Sequence, residues 1–312
     1  MNILYFEPLG RGWSRMKKAL FEPFDIKKWF VVGFTAFLAE LTDCHGGNGA
    51  RGGTGPGKTD FRDLMDLPAR ARAWFLDNPA LTGLIIAGAI VIVVLFVVLV
   101  WLSSRGKFMF LDNVVHDRAQ VAKPWFDFAA QGNSLFLWTL SFVLVVIVVL
   151  GSYMAGCFSA LHDLYEQDGF SAVFPFPSIW MLLGFFVLLI LVGFIELLLS
   201  GFVVPIMYRN RITAMRAWSM FWGLFMSNPL QFVGYGLVVF VVKICIITGV
   251  VLVGLLTCCV GFLVLLIPYL SSVVLLPVSY AMRGFSVEFL EQFGPDYQIV
   301  PKSAGDQAPA QP

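Results

Sequence analysis

The stretch ALTGLIIAGAIVIVVLFVVLVWL, residues 80–102, decides the fold. It contains no charged side chain, and an α-helix needs about 20 apolar residues to cross the hydrocarbon core of a bilayer. The whole chain agrees, because 58% of its 312 residues are hydrophobic and 13% are charged, whereas soluble domains carry roughly 25% charged residues. The sequence therefore predicts an all-α fold, a polytopic membrane bundle of about six transmembrane helices.

The other apolar stretches give the remaining spans, which we predict at 28–42, 80–102, 135–157, 178–208, 230–253 and 259–282. The first span is short, and 178–208 is long enough that it must tilt, break or enter the interface. Helix breaks are permitted at Gly201–Pro205, Pro268 and Pro277. We expect residues 1–293 to form a single integral membrane domain and residues 294–312 to form a disordered tail.

The loop charges predict the orientation, because Lys and Arg accumulate on the cytoplasmic side. With six spans and an inner N-terminus, the inner segments hold most of the basic residues, and the outer connection 158–177 holds none. The loop 42–79 departs from this pattern, since it carries five basic residues offset by aspartates. Residues 1–28 do not have the pattern of a cleavable signal peptide. We therefore expect a bacterial inner-membrane protein with both termini in the cytoplasm.

A glycine-rich loop at 45–60 contains GGTGPGKT, residues 52–59, which matches the phosphate-binding pattern G-x-x-x-x-G-K-[ST]. A working phosphate loop needs a buried strand before the glycines and a helix after them. Here the preceding residues are polar, and Pro68 follows within ten residues. We interpret the match as a chance one, so no nucleotide is expected. The net charge of +1 likewise argues against nucleic acid as a partner.

A repeated pattern places arginine and tryptophan next to the spans. VVPIMYRNRITAMRAW (203–218) resembles LLPVSYAMRGFSVEFL (275–290), and LDNVVHDRAQVAKPW (111–125) is a weaker copy. We interpret these segments as interfacial amphipathic helices, which we expect before spans one, two, three and five. They either set the depth of the protein in the bilayer or bind anionic lipid headgroups. The candidate headgroup ligands are Arg118, Arg209, Arg211, Arg216 and Arg283.

Four segments carry a resemblance to a known family: RMKKALFEPFDIKKWFVVGF, FMFLDNVVHDRAQVAKPW, FVVPIMYRNRITAMRAW and LLPVSYAMRGFSVEFLEQFGPDY. The chain is similar to an uncharacterised family of bacterial polytopic membrane proteins, distantly akin to the membrane domain of some glycerophosphodiester phosphodiesterases. The resemblance implies a helical bundle with interfacial helices in the bacterial cell membrane. It brings no catalytic residues.

Two charges lie inside apolar spans, Glu196 and Lys243. Ionisable residues in the membrane are costly, so they indicate pairing or function. Both lie at a similar predicted depth from the inner face, which predicts a buried ion pair. The pair is either a structural link between helices or an ion-coupled site, and an unpaired lysine is the remaining alternative.

The cysteines and histidines do not form a recognisable chemical motif. Cys44 and Cys157 fall near outer span ends, where a disulfide is possible in an oxidising compartment. No C-x-x-C or H-x₃-H spacing predicts a metal site, and none of the three histidines has the context of a nucleophile or a metalloprotease. We therefore expect no catalytic residues, metal or cofactor.

These observations predict a non-enzymatic membrane protein that organises or binds lipids or a membrane complex. Its expected partners are membrane lipids, and either itself or other membrane proteins. The alternative is a small-solute or ion-coupled transporter that uses Glu196 and Lys243.

Overall fold

The computed structural model describes residues 4–42, 67–168, 176–257, 261 and 265–299. Within these ranges the chain forms α-helices and no strand, which confirms the all-α fold class. The glycine-rich loop 45–60, Cys44 and the last residues, 300–312, lie outside the described residues. The helices are α1 (Phe6–Phe21), α2 (Ile26–Glu40), α3 (Leu67–Asp77), α4 (Pro79–His116), α5 (Ala122–Asp127), α6 (Ala129–Asp168), α7 (Phe176–Leu198), α8 (Val204–Asn210), α9 (Ala214–Ser227), α10 (Pro229–Leu256), α11 (Pro268–Val274) and α12 (Leu276–Glu291).

Four helical segments among the described residues are long and apolar enough to cross a membrane. They are Pro79–His116, Ala129–Leu164, Ser178–Asn210 and Pro229–Leu256. Their most apolar windows are only 6% to 11% buried within the chain, as expected for helices whose solvent is lipid. These segments contain the ranges predicted at 80–102, 135–157, 178–208 and 230–253. The third one is continuous, but it passes through a π-helical turn at Leu199–Val203 between α7 and α8.

Helix α2, at the predicted first span 28–42, is not among the helices that are long enough to count as candidate membrane spans. Helix α2 has 15 residues, or about 22 Å, which is shorter than the roughly 30 Å hydrocarbon core. The Ser103 hydroxyl donates to the Ala39 carbonyl at 3.0 Å, so α2 ends beside the point where the apolar stretch of α4 finishes. It packs against the C-terminal part of α4, and apolar residues of the predicted span, such as Val32 and Ala36, are buried in protein.

The predicted last span, 259–282, is replaced by two helices. Helices α11 and α12 meet at an angle of 64°, because Pro277 lies in the first turn of α12 and its ring cannot continue the preceding helix. If this bent pair counts as one span, the described residues contain five candidate spans instead of the predicted six. Helix α12 continues to Glu291, and most of it is buried, including Arg283 and Glu288.

The predicted disordered tail begins too early. Residues Pro295–Tyr297 form a 3₁₀ turn, and Ile299 is 7% exposed as part of the hydrophobic core. The backbone N–H of Ile299 donates to the Glu291 carboxylate at 3.1 Å. The chain therefore folds back after α12 and stays ordered at least to Ile299.

The chain divides into two compact units. Unit 1 comprises the described parts of 1–43, 100–139 and 194–312, and unit 2 those of 44–99 and 140–193. Unit 2 holds α3, the apolar beginning of α4, most of α6 and the beginning of α7. Unit 1 holds α10, the short helices apart from α3, and the hydrophobic core, in which Phe202 contacts Phe221, Phe232 and Tyr235 with ring centroids 4.8 to 5.6 Å apart.

Helix α1 is anchored to unit 1 through a close backbone contact. A Cβ atom on Gly12 would lie 2.8 Å from the Phe285 nitrogen, so only glycine permits this approach of α1 to α12. Met16 and Leu20 are each 2% exposed in this interface. Trp13 remains exposed. Helix α1 therefore contacts protein with one face, and most of its other side chains are exposed.

Candidate functional site

The C-terminal end of α4 is the most polar part of the core. The helix runs about 14 residues beyond the predicted span, and the segment from Gly106 to Val115 is buried. It includes Lys107, Asp112 and Asn113, which are 1% to 5% exposed. A cytoplasmic loop would leave these groups in water, whereas here they need partners inside the protein.

Asp112 is the centre of a buried hydrogen-bond network in unit 1. Its carboxylate accepts bonds from the guanidinium of Arg118 at 2.8 to 3.1 Å. The Tyr208 hydroxyl donates to the same carboxylate at 2.8 Å. Because Arg118 and Tyr208 bond both carboxylate oxygens, Asp112 fixes the end of α4 to α8.

His116 lies at the surface of this network. Its Nδ1 atom is 3.3 Å from the Asp112 carboxylate and 3.3 Å from the Tyr208 hydroxyl. The side chain is 39% exposed, so the ring connects the buried carboxylate with the surface.

Two helices end at this site on residues with left-handed backbone conformations. Asp117, after α4, has φ of 51°, and Arg211, after α8, has φ of 54°. Such angles are uncommon for residues other than glycine. In both places the chain turns sharply from a long helical segment into a short one, α5 or α9. The repeat detected in the sequence therefore corresponds, in these two copies, to a shared reversal of the chain.

Arg211 is held over an aromatic stack. Its guanidinium lies 4.1 Å from the centroid of the Phe128 ring, within the range of a cation–π interaction. Phe128 in turn stacks on Tyr208, with centroids 4.7 Å apart. Arg211 also donates to the Asp127 carbonyl at 2.7 Å. The side chain is thus oriented by the protein while it remains exposed.

Arg209 and Arg216 are exposed on either side of Arg211, and Arg118 is 32% exposed. The neighbouring helix α9 buries Ala214, Ala217 and Phe221. Its flank shows Met215, Trp222 and Met226, which are 51% to 72% exposed. We call Arg118, Arg209, Arg211 and Arg216 the cationic corner. It lies where an apolar helix ends and a helix with an exposed apolar flank begins.

Arg283, the fifth predicted headgroup ligand, lies inside unit 1. It is 9% exposed, and its guanidinium donates to the carbonyl oxygen of Ser200 and to that of Lys107 at 3.4 Å. The side chain therefore bridges α12 to two other helical segments, and the structure does not present it to a headgroup. The sequence repeat does not predict that one arginine is exposed and the other buried, because Arg211 and Arg283 occupy equivalent positions in the pattern.

The π-helical turn explains why an arginine is needed there. The Val204 N–H bonds to the Leu199 carbonyl, five residues back. In the same register the Ser200 carbonyl would receive its bond from residue 205, but proline has no N–H. A buried carbonyl without a donor is costly. Arg283 supplies the missing donor.

The copy of the repeat at 275–290 also contacts α4. The Tyr280 hydroxyl donates to the Val114 carbonyl at 3.2 Å, while its counterpart Tyr208 donates to Asp112. The two tyrosines therefore bind the same turn at the end of α4. Pro205 and Pro277, which precede them by three residues, each lie in the first turn of a helix.

Glu196 and Lys243 differ in their exposure. Glu196 is half-buried and has an interaction within the chain, whereas Lys243 is exposed. A Cβ atom on Gly236 of α10 would lie 3.0 Å from the Phe194 ring and 3.6 Å from Leu197, so Gly236 is the position opposite Glu196. Lys243 follows it by seven residues, or about 10 Å of helix. The ion pair stays a prediction.

Only some of the residues in the cysteine and metal predictions lie in the part of the chain that the structure describes. Cys157 is half-buried and Cys245 exposed, and both are free thiols; the proposed partner Cys44 lies outside the described residues. No group of three or more His, Cys, Asp and Glu that could hold a metal occurs in the described part of the chain. The phosphate-loop match at 52–59 also falls outside it.

Sequence reasoning missed Asp112, His116 and Tyr208 as members of one site. A signal was present, because LDNVVHDR places an aspartate, a histidine and an arginine within one helical turn or two of each other. The contribution of Tyr208 comes from 96 residues further along the chain, and no local spacing predicts it.

Comparison with known proteins gives the family but no characterised relative. No curated protein and no solved structure matches the chain, so kinship with glycerophosphodiester phosphodiesterases stays a prediction. Residues 6–291 match the family of unknown function DUF7544. The match covers both units and all of the site residues described above, and the chain therefore belongs to DUF7544.

Proposed function

We propose that this protein is a non-enzymatic, multi-pass protein of the bacterial inner membrane that binds anionic lipid headgroups at the cationic corner. The binding would organise lipid around the helix ends of unit 1. Under this proposal the partners are membrane lipids, and the protein uses no nucleotide, metal or cofactor. Distant kinship with the membrane domain of some glycerophosphodiester phosphodiesterases belongs to the same proposal.

The observation that carries the proposal is the combination of exposed arginines with an exposed apolar flank. Arg209, Arg211 and Arg216 are exposed, and the flank of α9 presents Met215 and Trp222, which are 72% and 51% exposed. A helix of this kind lies in the plane of the membrane interface, with its apolar flank among acyl chains. Arginines at that depth are positioned for lipid phosphates, which guanidinium groups bind through paired hydrogen bonds.

The remaining charges of the site support this interpretation. The Asp112 carboxylate accepts hydrogen bonds from Arg118 and Tyr208. Its negative charge therefore offsets the charge of Arg118 but not the charges of Arg209, Arg211 and Arg216. Arg211 uses a backbone carbonyl, that of Asp127, which leaves its charge uncompensated by that contact. The corner therefore retains positive charge where an anionic headgroup would lie.

Contacts between the chain ends support the proposed orientation. The backbone N–H of Leu4 donates to the Gln292 side chain at 3.0 Å, and the Gln292 amide donates back to the Leu4 carbonyl at 3.0 Å. This contact supports placing the two ends of the described chain on the same side of a membrane. The concentration of Lys and Arg in unit 1 favours the cytoplasm as that side.

Native mass spectrometry of protein extracted gently from its own membrane tests the proposal. We expect wild-type protein to retain anionic lipid and Arg209→Gln/Arg216→Gln to lose most of it. Both side chains are exposed, so the substitution leaves the Asp112 network intact. The matched control is Arg70→Gln/Arg72→Gln on α3, which removes the same charge from exposed positions. Equal lipid retention in both variants and wild type would overturn the proposal.

A further inference from the structure

Lys243 lies in the middle of a candidate membrane span. Helix α10 has 28 residues, about 42 Å, and Lys243 is about 20 Å from either end. The hydrocarbon core is about 30 Å thick, so the Lys243 backbone is close to its midplane, about 15 Å from either interface. A lysine side chain extends only about 6 Å, so it cannot bring its ammonium group to the headgroups.

The surface around Lys243 faces away from the chain. Phe240, Ile244 and Ile247 are 47% to 61% exposed, and with Lys243 they form one stripe at the spacing of a helix-packing face. None of the described residues forms an ion pair or hydrogen bond with the Lys243 ammonium. An exposed cation at this depth is costly in lipid, and such residues pair or face a protein.

The chain itself offers no suitable carboxylate among its described residues. Glu196 is the acidic residue in the middle of a described span, and it already has an interaction within the chain. It is also offset along the helices, as the Gly236 contacts show. A second copy of the chain would present the same Glu196, so a symmetric dimer would not supply a new partner for Lys243.

We propose that the Lys243 face of α10 docks a transmembrane helix of a different membrane protein, one that carries an aspartate or glutamate near the bilayer midplane. Charge complementarity selects the partner, and the neighbouring Phe240, Ile244 and Ile247 supply the packing surface. An ammonium–carboxylate pair that forms away from water removes the cost of both charges at once. This docking is independent of lipid binding at the cationic corner.

The test is photo-crosslinking in intact membranes, with a photoreactive amino acid in place of Ile247. We expect an adduct heavier than the 34.7 kDa chain by the mass of a second protein, and at least a tenfold loss of that adduct in Lys243→Met. The matched control is Cys245→Ala, which removes an exposed thiol from the opposite side of α10 and should leave the adduct unchanged. After the partner is identified by mass spectrometry, Lys243→Glu combined with a lysine at the partner's mid-span carboxylate should restore crosslinking.

The opposing outcomes are distinct. An adduct with the mass of two copies of this chain, or one that persists in Lys243→Met, would overturn the proposal. Absence of any adduct together with undiminished expression of Lys243→Met would show that the lysine faces lipid alone. If the exchange Glu196→Lys/Lys243→Glu restored the expression lost in the single variants, the pair would be intramolecular and the proposal would be wrong.

Discussion

Replacement of Asp112 by asparagine is the most direct test of the network at the end of α4. The Asp112→Asn substitution would keep the size of the side chain but would lose the charge that Arg118 binds through two of its nitrogens at 2.8 to 3.1 Å. One of the two carboxylate oxygens would become an N–H₂ donor that faces the donors of Arg118. The change therefore leaves a guanidinium, or the Tyr208 hydroxyl, without its acceptor.

The structure sets the expected size of the loss. Removal of one partner from a buried ion pair costs about 3–5 kcal/mol. Arg118 is 32% exposed, so water solvates part of the stranded charge, and we expect a loss of about 3 kcal/mol in the free energy of unfolding. The matched control is Asp117→Asn, because Asp117 is 55% exposed and bonds Lys28 at 2.9 Å. Asparagine tolerates the left-handed backbone at that position, and we expect a loss below about 1 kcal/mol.

Equilibrium unfolding of the detergent-solubilised protein by titration with sodium dodecyl sulfate measures both variants. A double-mutant cycle with Arg118→Met separates the pair from other effects. In the Asp112→Asn background we expect Arg118→Met to lower the free energy of unfolding by about 2 kcal/mol less than it does in wild type, since no ion pair is left to break. A loss in Asp112→Asn of less than about 0.5 kcal/mol, or an additive cycle, would refute the assignment of Asp112 as the buried anchor of this end.

Three further predictions concern the close contacts within unit 1. Arg283→Met should lower the free energy of unfolding by about 2 kcal/mol, because the buried Ser200 carbonyl loses a charged donor. In a Pro205→Ala background the backbone N–H returns, so thermal or detergent unfolding should show a smaller loss for Arg283→Met. Equal losses in the two backgrounds would contradict the role of the π-helical turn. Gly12→Ala should lower the free energy of unfolding by about 1–3 kcal/mol, since the new Cβ would lie 2.8 Å from a backbone nitrogen. A Cβ at Gly10 would have no atom within 4 Å, so Gly10→Ala should leave the stability unchanged or raise it. Gly106→Ala should also lower the melting temperature, because its Cβ would lie 2.6 Å from a backbone carbon of α2, and an unchanged melting temperature would show that α2 moves away without loss.

Much of the helical framework was predictable from hydropathy. The apolar stretches at 80–102 and 230–253 are long and almost free of charge, and such stretches form helices in lipid whatever their neighbours are. The stretch 28–42 is also apolar, and hydropathy alone predicts a short span there. Its residues are instead buried against α4 and α11, because an apolar surface can be covered by protein as well as by lipid.

The candidate site was only partly predictable. The exposure of Arg209 and Arg216 agrees with the pattern that singled them out, because a basic residue after an apolar helix normally meets water. Arg283 occupies the equivalent position of a repeat and is nevertheless buried. Its environment depends on the carbonyl that Pro205 leaves without a donor, which lies on a helix far away in sequence.

The sequence by itself determined the class of protein, the positions of the long apolar helices and the presence of short amphipathic helices beside them. These properties depend on composition and on periodicity within one segment, so no knowledge of the neighbours is required. Only the tertiary structure decided that the end of α4 is a buried polar core, that Asp112 pairs with Arg118 and Tyr208, and that Lys243 faces outward. The physical reason is that the cost of a buried charge depends on which groups the fold places within hydrogen-bond distance, and those groups come from separate helices.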